Sequence, residues 1–252
     1  MKKTFLHVGC GPLTKENTTL EFNSNDWEEI RVDIDAAVKP DIVASMTDMS
    51  SVDSNSFDAV YSSHNIEHLF PHEVPIALAE MNRALKDDGF LIITCPDLQS
   101  VCAKVADGNL VGSLYQSGMG PITALDILYG HRVSLAKGNH YMAHKVGFTK
   151  EVLQSTLINA GFKVVAVDNL TNSSLESLKR VEKLSKCKIP FYRLDIRNKS
   201  ALKKVFDKHS IEAVIHFAGL KSVSESFLKP VEYYNNNLGG TFSLIEVMKE
   251  FN

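Results

Sequence analysis

The sequence has few of the features that mark secreted, membrane-spanning or nucleic-acid-binding proteins. Its four cysteines show no paired or CxxC spacing, which predicts free thiols in a reducing cytoplasm rather than a disulfide framework. No apolar run reaches the roughly 20 residues that span a bilayer, and the opening residues are too few for a secretory leader. The net charge of −3 comes without a basic stripe, so nucleic acid is not the expected partner. We therefore expect a cytoplasmic globular protein without membrane contact.

The sequence does contain a series of strand-like segments typical of an α/β protein. Residues 73–86 carry apolar side chains at helical spacing, and Asp88-Gly89 is expected to end that helix. Residues 90–94 are apolar throughout, as a parallel strand covered on both faces requires. The predicted strands are residues 5–8, 29–35, 41–45, 56–63 and 90–94.

The first strand runs into a glycine-bearing turn. Gly9, Cys10 and Gly11 follow it directly, and a turn without Cβ atoms lets backbone N–H groups approach a ligand. The second strand, residues 29–35, ends in acidic residues about 20 positions later, the spacing at which a βαβ unit places a carboxylate beside a ribose. Gly-x-Gly alone is equally compatible with a plain strand-to-loop turn. The two features together favour a nucleoside site at the carboxyl ends of the strands.

Residues 4–167 resemble class I S-adenosylmethionine-dependent methyltransferases of the small-molecule type. The resemblance is carried by the glycine turn, the acidic end of the second strand, Thr47-Asp48, and residues 56–60 and 85–93. The resemblance implies a Rossmann-like sheet with helices on both faces and S-adenosylmethionine as the cofactor. Leu13 departs from the family, which often has a third glycine at that position.

The resemblance also implies roles for individual residues. The 9–11 loop would contact the methionine part of the cofactor, and Asp33 would accept the ribose hydroxyls. Asp48 would face the adenine amino group with Met49 against the ring, and residues 62–64 would line the floor under the sulfonium. The cofactor-binding residues implied are Gly9, Cys10, Gly11, Asp33, Asp48, Met49, Ser62 and Ser63.

Candidate catalytic residues follow the fourth strand. The methyl group is activated by its sulfonium, so the protein has to hold the acceptor in line and remove a proton. His64, Glu67 and His68 follow the strand end, and histidine titrates near neutral pH. Alternatively, Glu67 and His68 cap or pack beneath the next helix. His64, His68 and His72 are spaced by four, but Pro71 interrupts the run and no metal is expected.

Residues 97–147 form a long insertion into the sheet pattern. Insertions with their own glycine hinges are often lids or acceptor pockets, although solvated loop residues are the alternative for most of its polar side chains. A helix over residues 149–160 and a sixth strand over 163–167 are predicted to follow. The candidate acceptor contacts are Asp126, His131, Arg132, His140, Tyr141 and His144.

The chain changes character after residue 167. Residues 167–179, 191–196, 213–222 and 229–237 resemble UDP-glucose 4-epimerase of the extended short-chain dehydrogenase group. Residues 168–252 are accordingly expected to be an incomplete NAD-binding fragment with a partial Rossmann βα arrangement. The vestigial NAD contacts that the resemblance implies are Asp168, Asn169, Asp195, Ile196, Phe217, Ala218, Gly219, Lys221 and Asn236.

This fragment lacks parts that epimerase chemistry needs. The family's Gly-x-x-Gly-x-x-Gly turn does not precede Asp168, and its catalytic tyrosine and lysine do not occur before Asn252. Without the turn the pyrophosphate has no helix N-terminus, and without the tyrosine no base takes the sugar proton. We expect neither NAD binding nor epimerase activity, and we interpret the chain as the product of an in-frame fusion or deletion. The fragment can extend the first sheet, remain partly disordered, or pair with another chain as a homodimer.

Three functions of different classes remain open. The first, which we favour, is methyl transfer from S-adenosylmethionine to a small-molecule or saccharide acceptor, because it accounts for residues 1–167. The second is a sugar-nucleotide epimerase relative that binds NAD without turnover. The third is a noncatalytic nucleoside-binding module.

Overall fold

The computed structural model describes residues 2–209, 211, 214, 216, 218–220 and 223–251. The chain divides into two compact units, Met1–Phe162 and Lys163–Asn252. Each unit has its own sheet and its own hydrophobic cluster.

Unit 1 is built on a parallel sheet of five strands in the order β3-β2-β1-β4-β5. The five strands predicted from the sequence are all present, and the α/β fold class is confirmed. The strands are β1 Lys3–Val8, β2 Trp27–Asp33, β3 Ile42–Val43, β4 Phe57–Ser63 and β5 Leu85–Thr94.

The central strand β1 contributes side chains to two hydrophobic clusters, one on each face of the sheet, because successive side chains of a strand point to opposite faces. Leu6 and Val8 belong to the larger hydrophobic cluster, which also contains side chains of α1 (Val74–Ala84) and α5 (Lys150–Asn159). Phe5 belongs to a smaller cluster and stacks on Phe22 with ring centroids 4.3 Å apart. Phe22 comes from an irregular segment between β1 and β2, so a loop rather than a long helix covers that part of the sheet.

The end of the helix α1 differs from the prediction. We expected the helix to continue to Asp88-Gly89, but it ends at Ala84 and β5 begins at Leu85, whose φ of −69° and ψ of 142° are extended. Backbone hydrogen bonds from Asn55 and Ser56 to the carbonyls of Arg83 and Ala84 draw the chain toward the sheet at this point. Tertiary pairing thus overrides the local turn signal.

The insertion after β5 folds into small elements. They are α2 Leu98–Ala106, the antiparallel strands β6 Ser113–Ser117 and β7 Gly120–Thr123, α3 Ala124–Tyr129 and α4 Arg132–Ala136. The helix α5 follows, as the sequence predicts, with the Thr149 side chain accepting a hydrogen bond from the Val152 N–H. Gly161, at φ +96°, comes just after its end.

Unit 2 consists of helices and a short parallel strand pair. Its elements are β8 Ala166–Asp168, α6 Leu175–Ser185, β9 Phe191–Arg193, α7 Lys199–Lys208, α8 Val223–Leu228, α9 Pro230–Tyr234 and α10 Gly240–Phe251. A π-helical turn, Asn235–Gly239, interrupts the helix predicted over residues 230–250. Part of the strand predicted over residues 212–217 lies outside the described residues.

The predicted sixth strand belongs to unit 2 rather than to the first sheet. Only residues 166–168 of this region are a strand, and they pair in parallel with β9, with Val167 opposite Tyr192. Because an apolar parallel strand carries little information about its partner, the sequence of residues 163–167 did not distinguish the two sheets.

The cluster of unit 2 lies between α7 and α10. Leu202 and Phe206 pack against Leu244 and Val247. Ion pairs from Lys199 to Glu246 and from Lys203 to Glu250 flank this apolar contact. The helical faces are therefore matched in both hydrophobicity and charge.

Candidate functional site

The turn after β1 adopts the conformation that its glycines permit. Gly9 and Gly11 have φ values of 67° and 54°, in the left-handed region that disfavours side chains. The Gly9 N–H donates to the Val32 carbonyl at 2.8 Å. A Cβ on Gly11 would meet no atom within 4 Å, so the backbone there borders open space. Cys10, between them, is buried, and burial raises the pKa of its thiol to about 11.

Asp33 lies at the carboxyl end of β2, directly beside this turn. Its Oδ2 accepts a hydrogen bond from the Gly11 N–H at 2.7 Å, and its Oδ1 accepts one from the Asp35 N–H at 2.9 Å. A carboxylate has about four acceptor positions, so each oxygen retains the capacity for a further bond. The structure thus joins the predicted glycine turn to the predicted ribose-binding carboxylate.

Arg31 also holds the turn, and sequence reasoning missed it. Its guanidinium donates to the carbonyls of Gly11 at 2.8 Å, Leu13 at 3.0 Å and Lys39 at 3.0 Å. These bonds fix the chain at Leu13, where a third glycine was expected. No local motif signalled this role, because an arginine in an alternating strand is ordinarily a solvated residue.

Asn65 is the second residue that sequence reasoning missed. Its Nδ2 donates to the carbonyls of Val8 at 3.1 Å and Ser63 at 2.9 Å, which ties together the ends of β1 and β4. The Asn65 side chain also lies where a Cβ on Gly9 would be, with Cγ 2.3 Å away from that position. Gly9 is therefore needed for packing between two strand ends.

The two predicted adenine contacts lie in different environments. Asp48 is exposed, and its Oδ1 accepts from the Ser50 N–H at 3.2 Å. Met49 is fully buried in the larger hydrophobic cluster, so it offers no surface to a ring in this conformation. Ile34 follows Asp33 directly and is 48% exposed. It is an apolar surface near the nucleoside position that the sequence analysis did not select.

The end of β4 forms the next part of the site. Ser62 is fully buried, and the Ser63 hydroxyl lies 2.7 Å from that of Thr94. His64 continues the edge with its N–H donating to the Thr94 carbonyl at 2.9 Å. The φ of His64 is 56°, which is unusual for a residue with a side chain. The chain turns sharply here into the 3₁₀ turn Ile66–His68.

Glu67 is a buried carboxylate without a well-directed hydrogen bond among the described residues. The residue is 2% exposed, and neither of its side-chain oxygens receives a hydrogen bond. The His64 Nδ1 lies 3.3 Å from Oε1 of Glu67, on a side chain that is 60% exposed. The contact with Glu67 raises the pKa of His64.

His68 and His144 meet beside Glu67, with ring centroids 4.9 Å apart. The His68 Nδ1 lies 3.1 Å from the Ala143 carbonyl, and the His144 Nδ1 lies 2.6 Å from the Ile127 carbonyl. A carbonyl only accepts, so both Nδ1 atoms carry the proton and both Nε2 atoms are available. Burial lowers the pKa of His144, which favours its neutral form.

The backbone brings the distant His144 to this place. The N–H groups of Lys145 and Val146 point to the Glu67 carbonyl, at 2.8 and 3.3 Å. A pocket with about 230 Å³ of empty space, open solvent included, lies next to them. It is lined by Glu67, Pro96, Leu98, Ile127, His144, Val146, Gly147 and Phe148.

Of the six candidate acceptor contacts, His144 alone lines this pocket. Asp126 is buried and accepts hydrogen bonds from Thr123 and Arg132, with the Arg132 Nε at 2.8 Å. These bonds hold the pKa of Asp126 well below its usual range. His131 is buried against the Ser134 hydroxyl at 2.8 Å. His140 and Tyr141 are exposed, and their contact with an acceptor stays a prediction.

The residues that were predicted as vestigial NAD contacts lie mainly at the ends of the strands of unit 2. Asp168 accepts from the Leu170 N–H at 2.7 Å, and Asn169 donates to Asp195 at 3.3 Å. Arg197 binds Asp195 and lowers the pKa of its carboxyl to about 2. The other predicted NAD contacts among the described residues are Ile196, Ala218, Gly219 and Asn236. Phe217 and Lys221 lie outside the described residues.

Unit 2 exposes several large apolar side chains. Phe227 and Leu228 at the end of α8 and Val231 in α9 are each about four-fifths exposed, at 80%, 83% and 79%. The predicted homodimer through this part of the chain stays a prediction. No helix in the part of the chain that the structure describes is long and apolar enough to cross a membrane.

Two family models match the chain. Residues 6–93 match a methyltransferase domain, and residues 146–252 match the GDP-mannose 4,6 dehydratase family. The first match contains the glycine turn, Asp33 and the end of β4. The sequence-based recognition is therefore confirmed: a methyltransferase-like part precedes an epimerase-like part.

Curated relatives match the second part. UDP-glucose 4-epimerase of Dictyostelium discoideum is 52% identical over 92 residues, and that of Bacillus subtilis is 48% identical over 95 residues. These alignments cover 36% and 38% of this chain. The chain spans only about a quarter of the relatives' own length, 27% and 28%.

Solved structures resemble each part at low TM-scores. A Bifidobacterium longum UDP-glucose 4-epimerase in complex with NAD⁺ and UDP is 45% identical over 39% of this chain and 30% of its own, with a TM-score of 0.39. A SAM-dependent methyltransferase from Archaeoglobus fulgidus is 19% identical over 75% of this chain and 82% of its own, with a TM-score of 0.41.

Proposed function

We propose that this chain transfers a methyl group from S-adenosylmethionine to a small-molecule or saccharide acceptor in the cytoplasm. The observation that carries the proposal is the contact between the Gly11 N–H and the Asp33 carboxylate, 2.7 Å long, inside the segment that matches a methyltransferase domain. This contact brings the two parts of a nucleoside site together at the carboxyl edge of the sheet, where ligands of open α/β sheets bind.

The residues at this edge fit the cofactor. The open space beside Gly11 admits the methionine part, and Asp33 keeps acceptor capacity for two ribose hydroxyls. Ile34 offers an exposed apolar surface to the base, and Asp48 is free to accept from the adenine amino group. We retain Cys10, Ser62 and Ser63 as lining residues, whereas a contact with Met49 requires that its loop move.

The catalytic assignment rests on His64. S-adenosylmethionine supplies an activated methyl group when bound, so the protein has to position the acceptor and receive its proton. Glu67 lies 3.3 Å from the His64 Nδ1 and orients the ring so that Nε2 points away from the carboxylate. His64 then takes the acceptor's proton at Nε2, while Glu67 stabilises the resulting imidazolium. A ring nitrogen of His68 lies within 4.8 Å of a carboxylate oxygen of Glu67, and we retain His68 as a positioning residue in this scheme.

A second candidate function is NAD binding by unit 2. Its identity of about one half to curated epimerases and the contact between Asn169 and Asp195 favour this alternative. Epimerase turnover is not proposed, because the described residues before β8 contain no Gly-x-x-Gly-x-x-Gly turn to receive the pyrophosphate.

Calorimetric titrations with S-adenosylhomocysteine and with NAD test both functions. We expect the wild-type chain to bind S-adenosylhomocysteine with micromolar affinity and to give no heat with NAD. The Asp33→Ala variant should bind about 5- to 150-fold more weakly, since a hydrogen-bonding partner of the ribose is lost. Asp87→Ala, an exposed residue near the start of β5, is the matched control and should bind like wild type. Binding of NAD alone would overturn the proposal, and binding of neither ligand would support a chain without function.

A further inference from the structure

Three potential metal ligands converge from two distant parts of unit 1. Glu67 and His68 come from the 3₁₀ turn after β4, and His144 comes from the end of the insertion. Their ligating atoms all lie within 4.8 Å of one another. The hydrogen bonds from Lys145 and Val146 to the Glu67 carbonyl hold the two segments side by side, so the convergence is fixed by backbone and not by side-chain rotamers alone.

The two imidazoles are oriented in the way that metal ligands require. Each histidine donates its Nδ1–H to a backbone carbonyl, Ala143 for His68 and Ile127 for His144. This arrangement fixes the ring and the tautomer, and it leaves the Nε2 lone pair available. Metal-ligating histidines almost always have such a partner on their other nitrogen.

Glu67 supplies a second, independent indication. Burying a carboxylate without hydrogen bonds is unfavourable, and both of its oxygens lack a hydrogen bond among the described residues. The His64 ring lies 3.3 Å from one oxygen, but 60% of that side chain is exposed to solvent. A cation held between the carboxylate and the two imidazoles removes this cost.

We propose that Glu67, His68 and His144 bind one divalent transition-metal ion, with Zn²⁺ as the expected occupant. Two neutral imidazoles and one carboxylate are a donor set that suits Zn²⁺, and three protein ligands leave a position for water or an oxygen of a bound molecule. Bond lengths of about 2.0–2.2 Å require the ligands to draw together by roughly 1 Å. The open position would face the pocket that Glu67 and His144 line.

This proposal departs from the expectation of no metal that the sequence suggested. That expectation considered His64, His68 and His72, which share a spacing of four in the sequence. In the structure His72 is exposed and stacks on Phe70, and it is not part of the cluster. The site needs His144, 76 positions beyond His68 in the chain, which no local spacing reveals. The inference does not depend on methyl transfer.

The test is metal binding by the full chain after EDTA treatment and removal of the chelator. Titration with Zn²⁺ alone should give one equivalent bound, measured by elemental analysis after desalting. Co²⁺ should produce the visible absorption of a low-symmetry, nitrogen- and oxygen-ligated site. The variants His144→Ala and Glu67→Gln should weaken Zn²⁺ binding at least tenfold, whereas His72→Ala should leave it unchanged.

Thermal unfolding separates loss of the site from loss of the fold. Zn²⁺ should raise the Tm of the wild type and of His72→Ala but not that of His144→Ala. If Glu67→Gln fails to fold, the single variants His144→Ala and His68→Ala still test whether the metal site exists. Substoichiometric Zn²⁺ in the wild type, or equal binding by the histidine variants, would overturn the metal site. Binding of S-adenosylhomocysteine is measured on the same samples, so that failure of this inference is distinguished from failure of the proposed function.

Discussion

The side-chain amide of Asn65 lies where the Cβ of any residue other than glycine at position 9 would lie, with its Cγ 2.3 Å from that point. The same amide donates to the carbonyls of Val8 and Ser63. Gly9 thus has two separate requirements, a φ of +67° and space for a neighbour. Gly11 has only the first, because nothing lies within 4 Å of its Cβ position.

Alanine at the two glycines should therefore have unequal effects on stability. Gly11→Ala should lower the free energy of unfolding by about 1–2 kcal/mol, the cost of left-handed backbone for a residue with a Cβ. Gly9→Ala should cost about 2–5 kcal/mol, since displacement of Asn65 adds about 1–3 kcal/mol. Urea denaturation followed by circular dichroism measures both.

The double variant Gly9→Ala/Asn65→Ala separates the two contributions. Asn65→Ala alone loses the hydrogen bonds of this amide to Val8, Ser62 and Ser63, but it also removes the atoms that the new Cβ would strike. The double variant should thus be more stable than the sum of the single effects predicts, by about 1 kcal/mol or more. Strict additivity would contradict the packing role of Gly9.

Asp126 should act on stability rather than on acceptor binding. It receives hydrogen bonds from the Thr123 N–H at the start of α3 and from Arg132. Asp126→Ala should lower the free energy of unfolding by about 1–3 kcal/mol, because a helix cap and a charged partner are lost together. Asp107 follows the C-terminal end of α2. The variant Asp107→Ala is the control, and its stability should stay close to that of the wild type. Wild-type stability for Asp126→Ala would return that residue to the acceptor candidates.

The four cysteines should divide into two classes by reactivity. Burial raises the pKa of Cys10 to about 11 and that of Cys95 to about 12, whereas Cys102 and Cys187 are exposed. Ellman's reagent at pH 8 should therefore titrate two thiols quickly in the native chain and all four in denaturant, because only the thiolate reacts. Rapid reaction of Cys10 in the native chain would contradict the burial of its side chain.

Asp195 should contribute a pH-dependent stability to unit 2. Hydrogen bonds from Arg197 lower its pKa to about 2, against about 3.9 in an unfolded chain. A lowered pKa means that the contribution is present above the unfolded value and is lost as the pH falls from about 4 toward 2. A carboxyl NMR titration should give a midpoint near 2 for Asp195. Arg197→Gln should raise that midpoint, and an unchanged midpoint would remove Arg197 as the cause.

Self-association through α8 and α9 is the remaining prediction about partners. Phe227 and Leu228 are each at least 80% exposed, and burial of such side chains favours association. Light scattering coupled to size exclusion should give a dimer mass for the wild type. The variant Phe227→Ser/Leu228→Ser should give a monomer mass, while Leu20→Ser, an equally exposed residue of unit 1, should remain dimeric. A monomer mass for the wild type would contradict this prediction.

The sequence was sufficient for the parts of the fold that depend on local patterns. Five strands were located because apolar runs bounded by polar residues mark parallel strands. The glycine turn and Asp33 were located because a carboxylate about 20 residues after such a turn is typical of a nucleoside site, although a loop rather than a long helix joins β1 to β2 here. The end of α1 was misplaced because Asp88-Gly89 resembles a helix cap, whereas the pairing of β5 with β4 decides where the extended chain begins.

The candidate site was harder to predict from the sequence, because it depends on residues that are distant in the chain and meet only in the folded structure. Arg31 and Asn65 bind backbone carbonyls of other segments, and no sequence motif records such bonds. His144 was selected only as one of six acceptor candidates. Its place beside Glu67 follows from a backbone contact between residues 67 and 145, which a single sequence does not encode as a pattern.

The hydrophobic clusters of the two units have no residue in common: the larger cluster extends from Leu6 to Phe162, and the cluster between α7 and α10 begins at Leu194. Cooperative unfolding requires that the loss of one set of contacts weaken the rest, which a shared core would ensure. We therefore expect each of these two cores, as the described residues define them, to melt by itself. A heating experiment should accordingly trace two transitions, and a substitution in α10 should move one of them while leaving the other in place.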